Sequence, residues 1–229
     1  MMNFSNNMQH QAYLEISKRI MHSSYAPGDK ISESSLEKDL DLGRTPIREA
    51  LIRLRKDGLI EVIPQSGTYV SKINLDVAVN ARFVRESIER KVMVEAASKA
   101  KTADIRALQN IVKAQHTAIK SNDYEAFFDL DEAFHRSFYE ITDKKMVWDW
   151  LQTINVQLNR FRWLRLNLAS LNWSKLVNDH NQLLAAVKAH EPEEAERLTI
   201  NHLHLMLDEE QALVAAFPTY FSDDTTPTL

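Results

Sequence analysis

Two features of composition and one of patterning predict a mainly α-helical chain in two units. The 229 residues include only 4 glycines and 6 prolines, too few for the many tight turns of an all-β protein. Gly28, Gly43, Gly58 and Gly67 are all the glycines there are, so the last 162 residues contain none. Beyond Asn74, apolar residues recur at helical spacing between short polar breaks. The length suffices for two domains with their own cores, and 44% hydrophobic with 26% charged residues is ordinary globular composition. With no cysteine, disulfides, thiolate catalysis, zinc fingers and iron–sulfur clusters are excluded. No apolar run approaches the roughly 20 residues of a membrane span, and Met1–His10 is polar. A cytoplasmic protein without a membrane partner is expected.

The first unit, residues 1–73, reads as three helices and a hairpin. Ile16, Ile20 and Met21 give Tyr13–Ser24 helical spacing, and Ala26-Pro27-Gly28-Asp29 stops it. Glu33–Leu40 is a short helix, followed by the turn Asp41-Leu42-Gly43-Arg44. Thr45-Pro46 supplies an expected N-cap and first-turn proline. The next helix places Ile47, Ala50, Leu51 and Leu54 inward and closes at Gly58. Leu59–Ile63 and Thr68–Ser71 flank Pro64-Gln65-Ser66-Gly67 as a hairpin. This order is a winged helix-turn-helix plan, whose recognition helix enters the DNA major groove.

Charge supports that plan although the chain as a whole is acidic, with a formal net charge of -4. Residues 1–73 carry 10 basic and 9 acidic side chains, and the remainder carries 18 and 23. Arg44, Arg48, Arg53, Arg55 and Lys56 face only Glu49 within Arg44–Lys56, a local excess suited to phosphates. Arg44, Arg48 and Arg55 lie off the Ile47/Leu51/Leu54 stripe. Gly67 lets the wing tip approach a sugar-phosphate backbone. The candidate DNA-binding set is Arg44, Thr45, Pro46, Arg48, Arg53 and Gly67.

The second unit, residues 74–217, is predicted as an all-helical antiparallel bundle over 75–100, 103–120, 123–141, 144–168, 173–190 and 192–216. Asn74, Thr102, Asn122, Thr142 and Asn172 or Ser174 are candidate N-caps, and residues 218–229 read as a flexible tail. Inner helical stripes should be apolar, so polar residues on them stand out. Asp131 and His135 share the inner sector of Phe127, Phe134 and Phe138. His180 falls between Leu176, Leu183 and Val187, and His202 lies with Ala195, Leu198 and Met206, whereas His204 faces the polar side. Three inward histidines and an aspartate are a candidate site for a divalent transition metal (Zn, Ni, Fe or Mn), because one cation satisfies all four. Arg85 and Glu89 also share an inner stripe, either as a structural ion pair or as an effector-binding pair in which the guanidinium grips a carboxylate. Trp148, Trp150 and Trp163 with Arg160, Arg162 and Arg165 fall on one long helix and read as core and dimer surface, with Arg160 a candidate to line a pocket.

These residues also carry a resemblance. Gly43-Arg-Thr-Pro-Ile-Arg-Glu-Ala-Leu51, then Leu54, Asp57-Gly58-Leu59 and Gly67-Thr-Tyr-Val70, resemble the winged-helix half of the GntR family of bacterial transcription regulators. The resemblance implies that Arg44, Thr45, Arg48 and Gly67 contact DNA, with Arg44 and Arg48 reading bases. Ser34 stands where members often carry an arginine. Arg85-x3-Glu89, Asp131-Glu-Ala-Phe-His135, Asp179-His180 and Ala195-x6-His202 are similar to the FCD-type ligand-binding domain of the FadR subfamily. That similarity implies Asp131, His135, His180 and His202 as metal ligands and Arg85 as a pocket residue for a small organic acid. Thr142-Asp143-Lys144 departs from the family's Thr-Gly-Asn.

The resulting expectation is a metabolite-responsive transcription regulator, a repressor, that binds a pseudo-palindromic operator in double-stranded DNA as a homodimer. Its effector is expected to be a small carboxylate or sugar acid sensed at the metal site. The alternative is a metal-dependent enzyme with an appended winged helix, and a third reading makes the metal purely structural.

Overall fold

The computed structural model describes residues 4–168 and 173–222. Among them are ten α-helices and one small sheet. In the first unit, α1 (Phe4–Met21) begins well before the expected Tyr13. Strand β1 (Lys30–Ile31) was not foreseen, because two residues are too few to show alternation. Helix α2 (Glu33–Leu40) is capped by Ser32, whose Oγ accepts from the Ser35 amide at 3.1 Å, and it ends where Asp41 turns left-handed at φ 52°. Helix α3 (Arg44–Lys56) takes Gly43 as its N-cap. Thr45 therefore sits inside the first turn instead of capping it, and Pro46 beside it is buried. Gly58, at φ 69°, lets the Leu59 amide return to the Leu54 carbonyl at 2.9 Å and close α3.

Strands β2 (Ile60–Ile63) and β3 (Gly67–Val70) form the predicted hairpin, and β1 adds to β3 in the antiparallel order β1-β3-β2. Ile63 pairs with Gly67 at the tip and Ile60 with Val70 at the base. Pro64 and Gln65, the latter at φ 61°, make the turn that the Ser66 amide closes on the Ile63 carbonyl at 3.0 Å. Ile16, Ile20, Leu36, Ile47, Leu54 and Val70 fill the core beneath this unit.

The second unit comprises α4 (Leu75–Lys99), α5 (Thr102–Ser121), α6 (Tyr124–Ile141), α7 (Lys145–Ile154), α8 (Val156–Asn167), α9 (Trp173–Lys188) and α10 (Pro192–Ala216). Asn74 caps α4 as expected, its Oδ1 accepting from the Val77 amide at 2.9 Å. The caps of α5, α6 and α7 fall one or two residues from expectation, at Lys101, Asp123 and Lys144. Ser174 lies inside α9, and Asn172 is outside the described residues. Helix α4 packs against α10, α8, α6 and α9, while α5 packs on α6 and α9. Asp143 adopts φ 57°, the conformation a glycine would take there, and the Lys144 amide reaches the Tyr139 carbonyl at 2.7 Å. The turn that departs from the family's Thr-Gly-Asn is thus kept by an aspartate in the left-handed region.

Two expectations are corrected. The single helix over 144–168 is two, broken at Asn155, whose φ −80° and ψ 4° leave the helical region and whose amide caps α7 on the Leu151 carbonyl. The run Thr153-Ile154-Asn155-Val156 is poor in helix formers, and the break re-aims α8 toward the bundle centre. The tail is not free from Pro218 onward. Pro218–Tyr220 is a 3₁₀ turn, Phe221 is buried, and Ile73 exchanges backbone hydrogen bonds with Tyr220 at 2.8 Å and Ser222 at 3.0 Å. Residues 223–229 are outside the described residues.

Candidate metal centre and nucleic-acid interface

Four residues singled out on inner stripes converge. The ligand atoms of Asp131, His135, His180 and His202 all lie within 4.8 Å of one another, and all four residues are buried. His202 Nε2 stands 3.3 Å from His135 Nε2 and 3.4 Å from His180 Nε2, and His180 Nε2 stands 3.5 Å from Asp131 Oδ1.

The groups behind the rings fix what faces the centre. His135 Nδ1 meets Glu89, and His202 Nδ1 lies 3.5 Å from Asp179 Oδ2. Carboxylates only accept, so both Nδ1 atoms carry the proton. Gln115 donates its Nε2 to the Leu130 carbonyl at 3.2 Å, which orients its Oε1 to accept from His180 Nδ1 at 2.9 Å. Burial pushes His180 well below the usual histidine range, helped by the neighbouring His202; burial also lowers His202. With Nδ1 turned to these partners, the three rings aim their Nε2 atoms at one point beside a carboxylate. Burial would raise Asp131, but the Arg162 guanidinium beside it holds it well below the usual carboxylate range. Three nitrogens and an anionic oxygen with no proton among them fit a cation. At about 2.1 Å from each donor, neighbouring ligand atoms of one ion stand roughly 3.0–3.4 Å apart, close to the three separations, and the set as a whole, spread within 4.8 Å, is wider than a closed tetrahedron. The residues present therefore fit a divalent transition metal.

The centre opens onto a partly solvent-connected cavity. Asp131, His135 and His202 reach its wall, together with Arg82, Arg85, Arg162 and Arg165 and a larger set of phenylalanines, leucines and Met206. Arg85 donates through Nε to Glu89 Oε2 at 2.9 Å, so the ion pair exists, yet its buried Nη2 has no partner. Burial opposes its charge, but Glu89, Glu132 and Asp131 more than restore it. Glu89 does not line the cavity: its two oxygens are taken by Arg85 and His135 and it is fully buried. The expected effector contact of Glu89 is thus replaced by an orienting one. Gln115 was legible, since it shares the inner stripe of Leu108 and Val112 on α5. Arg162, paired with Asp131 and Glu132, and Arg165, paired with Glu209, were hidden while α7 and α8 were read as one helix.

On the first unit, Arg44 and Arg48 are exposed at the start of α3 and share Glu33, with Nε–O distances of 3.1 and 3.5 Å. Thr45 is exposed beside them. Pro46 is buried and shapes the turn without reaching the surface. Arg53 turns away, its guanidinium 3.7 Å over the Tyr13 ring and near Asp57. Gly67 has φ 144°, and a Cβ there would meet Lys30 Cε at 2.7 Å. The wing therefore carries Lys30 across its tip where glycine leaves room.

The two units meet through α8 and through α6, whose Glu125 pairs with Lys18. Arg160 does not line the cavity; it is buried and donates to the Ser71 carbonyl at 2.6 Å and the Ser71 hydroxyl at 3.2 Å. No carboxylate pairs with it among the described residues, and burial pushes its pKa down to about 10. Gln157 donates to the Gly58 carbonyl at 3.3 Å, and Trp163 stacks on His22 at 3.9 Å.

Two family descriptions match separate stretches of the chain. Residues 8–70 match the family described as "Bacterial regulatory proteins, gntR family", and residues 81–205 match the FCD domain. The chain is 28% identical over 214 residues to the HTH-type transcriptional repressor RspR of Escherichia coli K12, covering 93% of each. It is 27% identical to the Uxu operon regulator of Haemophilus influenzae, over 78% of this chain and 73% of that one. Among solved structures, E. coli McbR/YncC superposes with a TM-score of 0.75 at 18% identity, over 92% of this chain and 98% of that one. RspR and the Uxu protein are named as regulators, and the enzyme alternative finds no support in either. No described helix is long and apolar enough to cross a membrane.

Proposed function

Because the chain belongs to the GntR family of bacterial transcription regulators and carries an FCD domain, we propose that this DNA-binding regulator is a cytoplasmic repressor that senses a small carboxylate at a divalent metal. The observation that carries the reading is the centre's open side. A structural site closes its coordination with protein ligands, whereas a site that exchanges ligands keeps a face free. Here three of the four candidate ligand residues reach a cavity wall that also holds Arg85. Asp131, His135, His180 and His202 would hold the metal, which when bound supplies a Lewis-acidic position for a carboxylate oxygen. Arg85 would grip the same carboxylate through its free Nη2.

Helix α8 supports transmission to DNA. It carries Arg162 and Arg165 on the cavity and Arg160, Gln157 and Trp163 at the joint with the first unit. A ligand that draws Arg162 or Arg165 moves the element on which Ser71 and Gly58 rest. The response requires that the carboxylate bind two arrangements of the joint with different affinity. Arg44, Thr45 and Arg48 would read base edges, with Lys30 and the wing on the backbone beside Gly67. A homodimer is supported by Met146, Trp150 and Ile154, an exposed stripe at i, i+4 and i+8 along α7, and by exposed Phe83 on α4.

Selection of bound duplexes from random DNA tests the reading. Enrichment of a two-half-site pseudo-palindrome, bound by a dimer with affinity that falls steeply with salt, is expected. Enrichment of no sequence would contradict it.

A further inference from the structure

Two tiers of guanidinium face the cavity. Arg85 and Arg162 stand next to the metal centre, since Arg85 shares Glu89 with His135 and Arg162 pairs with Asp131. Arg82 is one turn before Arg85 on α4, and Arg165 is one turn after Arg162 on α8. Glu209, which holds Arg165, follows His202 by two turns on α10. At a rise of 1.5 Å per residue the second tier lies roughly 4.5 to 10 Å beyond the first. Arg85 Nη2 and Arg165 Nη1 are buried without an acceptor, in side chains more than nine-tenths buried, and Arg82 Nε is likewise without one in a side chain 11% exposed. The wall around these donors is apolar, with Phe127, Phe128, Phe161, Leu203 and Met206 among its residues. Hydroxyls turned onto such a wall would lose water and gain nothing.

Charge limits the ionisation of the occupant. The guanidiniums of Arg82, Arg85, Arg162 and Arg165 pair with Glu86, Glu89, Asp131, Glu132 and Glu209, one carboxylate in excess. In the distal tier Glu86 and Glu209 already pair with Arg82 and Arg165 one for one, so that end offers donors without uncompensated charge. We infer that the effector is an apolar-bodied monocarboxylate with one uncharged hydrogen-bond acceptor at its far end. Its carboxylate meets the metal centre and Arg85 Nη2, and its aryl or short alkyl body lies against Phe127, Phe128 and Phe161. Its distal oxygen accepts from Arg165 Nη1, with Arg82 Nε as second donor. A sugar acid, the class expected beside simple carboxylates from the sequence, does not suit this wall. The inference rests on the carboxylate-sensing reading above.

Calorimetric titration of the zinc-loaded full chain with benzoate, 4-hydroxybenzoate, terephthalate and gluconate tests it. Benzoate is expected to bind at least tenfold more tightly than gluconate, and 4-hydroxybenzoate at least fivefold more tightly than benzoate. In the paired variant Arg165→Met with Glu209→Gln, which removes the guanidinium without stranding its partner, that fivefold gain should fall below twofold while benzoate binding is kept. Gluconate equal to or tighter than benzoate overturns the apolar body and leaves carboxylate sensing standing. Terephthalate tighter than 4-hydroxybenzoate overturns the uncharged distal group. Binding of none of the four, or equal binding by metal-free protein, overturns the sensing reading and this inference with it.

Discussion

Gln115 decides the direction of His180 without touching the centre. Its amide is held by the Leu130 carbonyl, so its oxygen faces His180 Nδ1 and leaves Nε2 bare. Replacing it with leucine keeps the volume and removes the acceptor. Outer partners of this kind typically contribute 10–100-fold to metal affinity, so Gln115→Leu is expected to lose zinc affinity by about that factor in competition with a chelating dye. Unchanged affinity would mean that His180 is oriented by packing alone. At the other end of the chain, Arg44→Ala and Arg48→Ala should each weaken operator binding by about 1–3 kcal/mol and relax base choice at one position, whereas Arg53→Ala, already tied to Tyr13, should leave base choice unchanged. Anisotropy titrations on single-base operator variants separate these outcomes. The inward phase of Asp131, His135, His180 and His202 was readable because a polar residue on an apolar stripe breaks a strong pattern. Glu89 shows where that reading stops: phase told that it points inward, but only packing tells that His135 and Arg85 use both its oxygens.

Helix α8 carries residues of the cavity wall and of the joint on one element. The winged helix and most of the bundle followed from glycine placement, caps and periodicity. The break at Asn155 did not, because no proline or glycine marks it and a short run of weak helix formers does not by itself end a helix. That one break also decides which arginines face the cavity. Arg160 at the joint is a buried charge satisfied by neutral groups, a costly arrangement. Arg160→Met is therefore expected to raise or preserve thermal stability while reducing the effect of a bound carboxylate on operator affinity; loss of stability with an intact response would contradict the assigned role. His22, stacked on Trp163 at the same joint, gives a pH dependence. Burial lowers its pKa, opposed by Glu125 and Asp129 and aided by Lys18. The docked joint therefore favours neutral His22, so its stabilisation is full above about pH 6.5 and is lost as pH falls through the lowered value. His22→Phe keeps the stack without the proton. Melting temperatures of the native chain should fall relative to this variant between about pH 6.5 and 5, and parallel profiles would contradict the assignment.

The whole chain divides its charge by task. An acidic protein presents a basic recognition segment at one end, and its helical bundle keeps four paired arginines around a cavity at the other. Neither function is visible in the net charge of -4. In the proposed homodimer the exposed stripe on α7 forms the seam. Trp150→Glu is expected to shift the chain toward a monomer in sedimentation velocity and to weaken binding to a two-half-site operator far more than to a single half-site. The account rests most heavily on one linkage, from carboxylate at the metal centre to DNA at α3. Operator affinity of zinc-loaded protein, measured with and without a saturating carboxylate and again after chelation, tests that linkage directly. A change of at least fivefold that disappears on chelation is expected. Equal affinity under all three conditions would contradict the account.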